Sequence, residues 1–199
     1  MLDALLSRPG SASDRALTWL AARLVAARVP ANVLTHAALA TGVLGGAALW
    51  LDHGAAALAA LACSGVLDAI DGRVARMGAG STQWGGVLDL TYDRVVEASV
   101  LLGLAVPRPP LHVPALVLAA TWYVNLCVFL AVGAATAAAA AEKVIAYPPG
   151  LVERTEALVF AVIVVALPAA APAAMWCYAA LEVATAAQRF RHGHHALRD

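Results

Sequence analysis

Asp68, Asp71, Asp89 and Asp93 lie in one short run, DAIDGRVARMGAGSTQWGGVLDLTYD, of an otherwise apolar chain. Carboxylates are costly in such surroundings, so each is a candidate functional group. Helical spacing puts Asp68, Asp71, Gly72, Ala75 and Arg76 on one face, at i, i+3, i+4, i+7 and i+8. Asp89 and Asp93 stand at i and i+4 on the next segment, with Gly85 one turn earlier on the same face. Gly78 and Gly80 mark the turn between them. Packed as a hairpin, the two segments bring four carboxylates to one volume. Cations best offset like charges at that density, and aspartate oxygens are hard ligands that suit Mg²⁺ or Mn²⁺ rather than zinc or copper. Two such ions about 3.5–4 Å apart clamp a pyrophosphate and stabilise charge on attacking and leaving oxygens. Gly72, Ala75 and Gly85 leave room for a ligand against the backbone.

The elements that must position these groups are membrane spans. The chain has 199 residues, 62% of them hydrophobic. That share lies above the roughly 45–50% of soluble domains, so we expect an all-α, polytopic integral membrane protein folded as a single domain, 1–199. Six spans are read at about 32–52, 55–76, 83–106, 111–138, 154–170 and 173–191. Asp52-His53-Gly54, Pro107-Arg108-Pro109-Pro110, Pro148-Pro149-Gly150 and the pair Pro168 and Pro172 mark the breaks. The second span loses its purely apolar character near Leu67, so the aspartates occupy its last turns, close to one membrane face. Residues 14–29 are expected to form an amphipathic interfacial helix, with a stripe of Leu17, Leu20, Leu24 and Ala27, Trp19 as a headgroup anchor, Arg15, Arg23 and Arg28 toward lipid phosphates, and Ser11 or Ser13 as its cap.

Six spans place both termini on one side. Arg8, Arg15, Arg23, Arg28, Arg73, Arg76, Lys143, Arg154, Arg189, Arg191 and Arg198 then share that side, and Arg108 lies opposite. The positive-inside rule makes the aspartate-bearing face cytoplasmic, in a bacterial inner or cell membrane. The 13 basic and 13 acidic residues balance, so no bulk basic field favours nucleic acid. Cys63, Cys127 and Cys177 lack metal or disulfide spacing and are expected to be buried small hydrophobes. The N-terminus lacks the pattern of a cleavable signal peptide.

The acidic run resembles the signature of the CDP-alcohol phosphotransferase family, D-x2-D-G-x2-A-R-x8-G-x3-D-x3-D. Asp68, Asp71, Gly72, Ala75, Arg76, Gly85, Asp89 and Asp93 fill it without a gap. The resemblance implies transfer of a substituted phosphate, here phosphatidyl from CDP-diacylglycerol, to an alcohol hydroxyl with release of CMP. It also implies a six-helix membrane core with an amphipathic N-terminal helix. On this reading Asp68, Asp71, Asp89 and Asp93 bind two Mg²⁺ or Mn²⁺ ions, and Asp93 is the general base on the acceptor hydroxyl. Gly72, Ala75, Arg76 and Gly85 line the CDP pocket. Partners are a CDP-linked lipid donor, a small alcohol acceptor, membrane lipids and, as a homodimer, a second copy of the chain.

Weaker local matches extend the site. Family members often carry a Pro-Asn-x-x-Thr-like start to the first span. Here Asn32 and Thr35 match while the proline is displaced to Pro30, which places Pro30, Ala31, Asn32 and Val33 near the donor. Ordinary N-capping by Asn32 is the alternative. Thr82 either contacts the donor or caps the third span. Arg94 and Glu97 are expected to pair with each other. Glu153-Arg154-Thr155-Glu156 resembles the Glu-Arg-x-Glu segment of inositol-phosphate-using members, which assigns acceptor binding to Arg154. Ala137–Ala141 stands where that branch carries a Lys-x-Arg-like basic group, so other phosphorylated polyols and uncharged alcohols stay open as acceptors. His192, His194 and His195 read as a disordered tail. The rival functional class is a cation-coupled transporter using the same aspartates. It requires neither the nucleotide cradle nor the signature spacing, and no inverted repeat is visible.

Overall fold

The structure is a computed structural model describing residues 11–78, 80, 82–139 and 154–198; side chains at 137–139 and 154–158 lie outside the described set. Every regular element among the described residues is helical: α1 Ala12–Ala26, α2 Ala31–Trp50, α3 Gly54–Met77, α4 Gln83–Ala105, α5 His112–Ala139, α6 Arg154–Ala166 and α7 Ala171–Ala196, with short 3-10 turns at Pro109–Leu111 and Pro168–Ala170. The chain divides into two compact units, one ending at Pro109 and the other starting at Pro110.

In the first unit α2 is the centre. It packs on both α3 and α4, while extensive contact between α3 and α4 themselves is lacking among the described residues. The expected hairpin of the two aspartate helices is therefore mediated by a third helix. Small residues make this possible. A Cβ on Gly103 would sit 2.1 Å from the Gly46 carbonyl oxygen, and one on Gly46 would sit 2.6 Å from the Ser99 backbone. Side chains at either position would force α2 and α4 apart, which is why membrane helices place small residues at close contacts. Ser64 stitches α3 to α2 by donating to the Ala38 carbonyl at 2.7 Å.

Ser11 caps α1, its hydroxyl accepting the Asp14 N–H at 3.1 Å. Half of the apolar stripe of this helix is covered by protein: Leu17 and Leu24, with Ala21, pack with Leu34, Ile70 and Val74, while Leu20 and Ala27 are exposed. Asp14 bridges to Arg73 at 3.2 Å and fixes α1 on α3. Trp19 and Leu20 remain exposed, with the Arg23 guanidinium 4.9 Å from the Trp19 ring centroid. Asn32 does not cap α2. Pro30 holds the cap position without a side-chain bond, and Asn32 lies inside the first turn.

In the second unit α7 packs on α5 and α6. Tyr178 stacks on Phe160, ring centroids 4.8 Å apart, and meets Trp122 edge-on at 6.0 Å. Glu182 and Asn125 are buried between α5 and α7; the Asn125 amide donates to Glu182, and Arg189 donates to the Asn125 carbonyl oxygen at 2.8 Å.

Ala31–Trp50, Gly54–Met77 and Pro109–Thr136 are long and apolar enough to cross a bilayer, and a fourth candidate is bent by 114° at the Pro168 break. The helix α4 has the length of a span, but Asp89, Asp93, Arg94 and Glu97 remove its apolar character. These apolar helices make the chain a membrane protein, and the outward Leu44, Leu102, Leu116 and Tyr123 suit lipid contact. Two expectations are corrected. Cys63, Cys127 and Cys177 are exposed, not buried, because they fall on outward faces where a thiol meets lipid as readily as it would meet protein. The histidine tail is helical: α7 continues through His192, His194 and His195 to Ala196.

Candidate active site

Asp68 and Asp71 occupy the last turns of α3, and Asp89 the second turn of α4. One carboxylate oxygen from each lies within 4.8 Å of the others. Asp71 is buried, Asp68 half-buried and Asp89 exposed, so the group opens outward past Asp89. Asp93 lies one turn further along α4 and outside this group of three. The donor set of three hard oxygens fits a divalent cation such as Mg²⁺ or Mn²⁺.

Asp71 is oriented from α2. The Thr35 hydroxyl, itself buried, donates to Asp71 Oδ2 at 2.7 Å and shares its proton with the Ala31 carbonyl at 3.2 Å. Hydrogen bonds of this kind fix ligand carboxylates before a metal arrives. Sequence reading placed Thr35 in a local motif without giving it this role, because the bond spans 36 residues.

A cavity of about 620 Å³ opens beside the carboxylates. Asp71 and Asp89 line it together with Pro30, Ala31, Asn32, Thr35, Gly72, Ala75, Arg76, Thr82 and Gly85. Val33 does not; one position on from Asn32 turns it about 100° around the helix, and it is 53% exposed. Gly72 differs from the packing glycines. The nearest neighbours of a Cβ there would be the Arg76 guanidinium, beginning at 3.3 Å, with no other helix as close. Among the described residues, the backbone at Gly72 is thus covered chiefly by the Arg76 guanidinium. Thr82 caps α4, accepting the Gly85 N–H at 3.0 Å, and also borders the cavity. Arg94 pairs with Glu97 at 2.7 Å, three residues on. The Arg154 side chain lies outside the described residues.

Arg28 also lines the cavity, and the sequence reading gave it no place there. Its backbone has φ 57°, the left-handed region, where a side chain costs roughly 1–2 kcal/mol relative to the right-handed one. The Arg28 N–H bonds to the Val25 carbonyl at 2.9 Å and the Val29 N–H to Leu24 at 3.0 Å, the pattern of a helix end that glycine usually occupies. The available signal was the absence of glycine between the end of α1 and Pro30. Next to the site, the Tyr92 hydroxyl and His36 Nδ1 lie 2.9 Å apart and join α4 to α2.

The family model described as CDP-alcohol phosphatidyltransferase matches residues 28–186. The chain belongs to that family. Three crystal structures of the Mycobacterium tuberculosis phosphatidylinositol phosphate synthase PgsA1 are similar to it, each at 25% sequence identity. With CDP-DAG bound, the TM-score is 0.71 over 90% of this chain and 94% of that one. With manganese and citrate it is 0.70 over 89% and 88%. For the apo form it is 0.67 over 87% and 93%. No curated protein matches the chain significantly by sequence. This family member is a membrane phosphotransferase, and it transfers a phosphatidyl group in phospholipid biosynthesis. Membership leaves the transporter reading with no observation in its favour.

Proposed function

We propose that the chain transfers phosphatidyl from CDP-diacylglycerol to a phosphorylated polyol and releases CMP. The observation that carries this reading is the convergence of Asp68, Asp71 and Asp89 beside a cavity bordered by Asn32, Gly72 and Arg76. Similarity to a structure containing CDP-DAG supports the donor, and the name of that protein supports a phosphorylated polyol acceptor.

Asp68, Asp71, Asp89 and Asp93 would hold two Mg²⁺ or Mn²⁺ ions. Bound there, such ions neutralise charge on the transferred phosphate and its leaving group. The chain's own groups do the rest. Pro30, Ala31 and Asn32 flank the donor from the start of α2, while Val33, turned away from the cavity, is left out. Gly72, Ala75, Thr82 and Gly85 leave space for it, and the Arg76 guanidinium, lying over Gly72, binds its phosphate. Asp93 accepts the proton of the acceptor hydroxyl as that oxygen attacks phosphorus. Arg154, at the start of α6, binds the acceptor phosphate through a charge-assisted pair. The site faces the cytoplasm in a six-span, single-domain arrangement, with α1 at the membrane interface on the same side and a homodimer as the assembly.

CMP release from CDP-diacylglycerol, followed across a panel of phosphorylated and unphosphorylated alcohols, tests the reading. A phosphorylated polyol should be preferred, and Arg154→Ala should raise its KM far more than that of the donor. CMP release with an uncharged alcohol alone, unaffected by Arg154→Ala, would refute the phosphorylated acceptor.

A further inference from the structure

Two non-glycine residues among those described adopt left-handed backbone, Arg28 at φ 57° and Asp52 at φ 60°. Each ends a helix in the same way. The His53 N–H bonds to the Ala48 carbonyl at 2.8 Å beyond Asp52, as the Val29 N–H does to Leu24 beyond Arg28. At Asp52 the side chain explains why glycine is absent. Its carboxylate pairs with Arg108, which also donates to the Leu104 carbonyl at 3.1 Å and so ties the α2–α3 turn to the end of α4. The guanidinium of Arg28 has no hydrogen-bond or ion-pair partner among the described residues. Arg28 is exposed and is one of the residues that line the cavity, with Asp71, Arg76 and Asp89. A strained backbone position is retained where a side chain has a task, and among the described residues no partner accounts for it.

We infer that Arg28 is a further donor-binding residue, holding a phosphate oxygen of the CDP-linked donor from the α1–α2 turn, with Arg76 reaching the same ligand from α3. The inference rests on the proposed donor. Two guanidiniums from different helices suit a pyrophosphate, which offers several charged oxygens and accepts forked hydrogen bonds. The left-handed turn matters because α1 is fixed on α3 by Asp14–Arg73 and by the Leu17, Ala21 and Leu24 packing. Arg28 therefore starts from an anchored backbone.

Arg28→Gly separates the ligand role from the turn. Glycine suits φ 57° better than arginine, so the variant should fold and melt no lower than wild type. The full chain in neutral detergent with Mn²⁺ would be titrated with CDP-diacylglycerol and with CDP. Arg28→Gly should bind both about tenfold more weakly, by the usual worth of a charge-assisted bond, and Arg28→Lys should fall between. The KM for the alcohol acceptor should not change. Equal donor affinity in wild type and Arg28→Gly would overturn the inference and leave Arg28 a turn residue. A defect confined to vesicles containing anionic lipid would overturn it in favour of a membrane-surface contact, and a defect confined to acceptor KM would reassign Arg28 to the acceptor. A wild-type protein that binds no CDP-linked donor would overturn the functional reading along with the inference.

Discussion

In α3 and α4, three carboxylates of like charge are brought within 4.8 Å. In α5 and α7, Glu182 is set against the Asn125 amide, and Asn125 against Arg189, so donors and acceptors alternate. Both groups sit among apolar helices, yet the second sets donors against acceptors across α5 and α7 and so closes one helix on the other. The first is held together by its surroundings: α2 packs on both aspartate helices, and Thr35 fixes Asp71. Carboxylates assembled against their own repulsion store a preference for cations. Alternating groups store stability for the fold. A polar group in a membrane helix thus declares a ligand site by its charge pattern, rather than by its burial alone.

The sharpest test of that contrast is metal removal. Exhaustive chelation should abolish CMP release, and Mg²⁺ or Mn²⁺ should restore it; undiminished turnover without divalent metal would break the comparison at its first term. Next in size is Asp93→Asn. If Asp93 is the base, turnover should fall by roughly two orders of magnitude or more while donor affinity is retained. Near-normal turnover would move the base elsewhere. Melting temperatures without metal then compare the two groups directly. Glu182→Leu should cost about 1–3 kcal/mol by leaving the buried Asn125 amide without its acceptor. Asp71→Asn should leave the metal-free protein as stable as before, or raise its melting temperature, because one like charge is gone. Equal losses in both variants would mean that the acidic group also serves stability. The smallest effect is expected at Thr35. Thr35→Val keeps the shape and loses the hydroxyl, so Mn²⁺ affinity read by electron paramagnetic resonance should weaken about tenfold, with recovery in Thr35→Ser. Unchanged Mn²⁺ affinity would show that Asp71 needs no orientation from α2.

Much of the site was legible because its information is local. Asp68, Asp71, Gly72, Ala75 and Arg76 share a face by helical period alone, and α3 does present Asp71, Gly72, Ala75 and Arg76 to one cavity. Helix limits also followed from punctuation. The limits read as 55–76 and 83–106 agree with those of the helices α3 Gly54–Met77 and α4 Gln83–Ala105. Thr82 as a cap and the Arg94–Glu97 pair are contacts over three residues, within reach of pattern reading.

What the amino-acid sequence determined by itself was therefore the chemistry: which carboxylates, on which faces, beside which small residues, in a chain too apolar for water. Tertiary structure alone decided what stands between the aspartate helices. The approach of Gly46 to Gly103 inserts α2 there, and no periodicity encodes a contact between residues so far apart. Tertiary structure also turned Leu17 and Leu24 of α1 toward Ile70 and Val74, since an apolar face gains from protein as much as from lipid and its pattern is the same for both. It placed Arg28 at the cavity as well, because the course of the chain there turns on a backbone angle that a residue name does not specify.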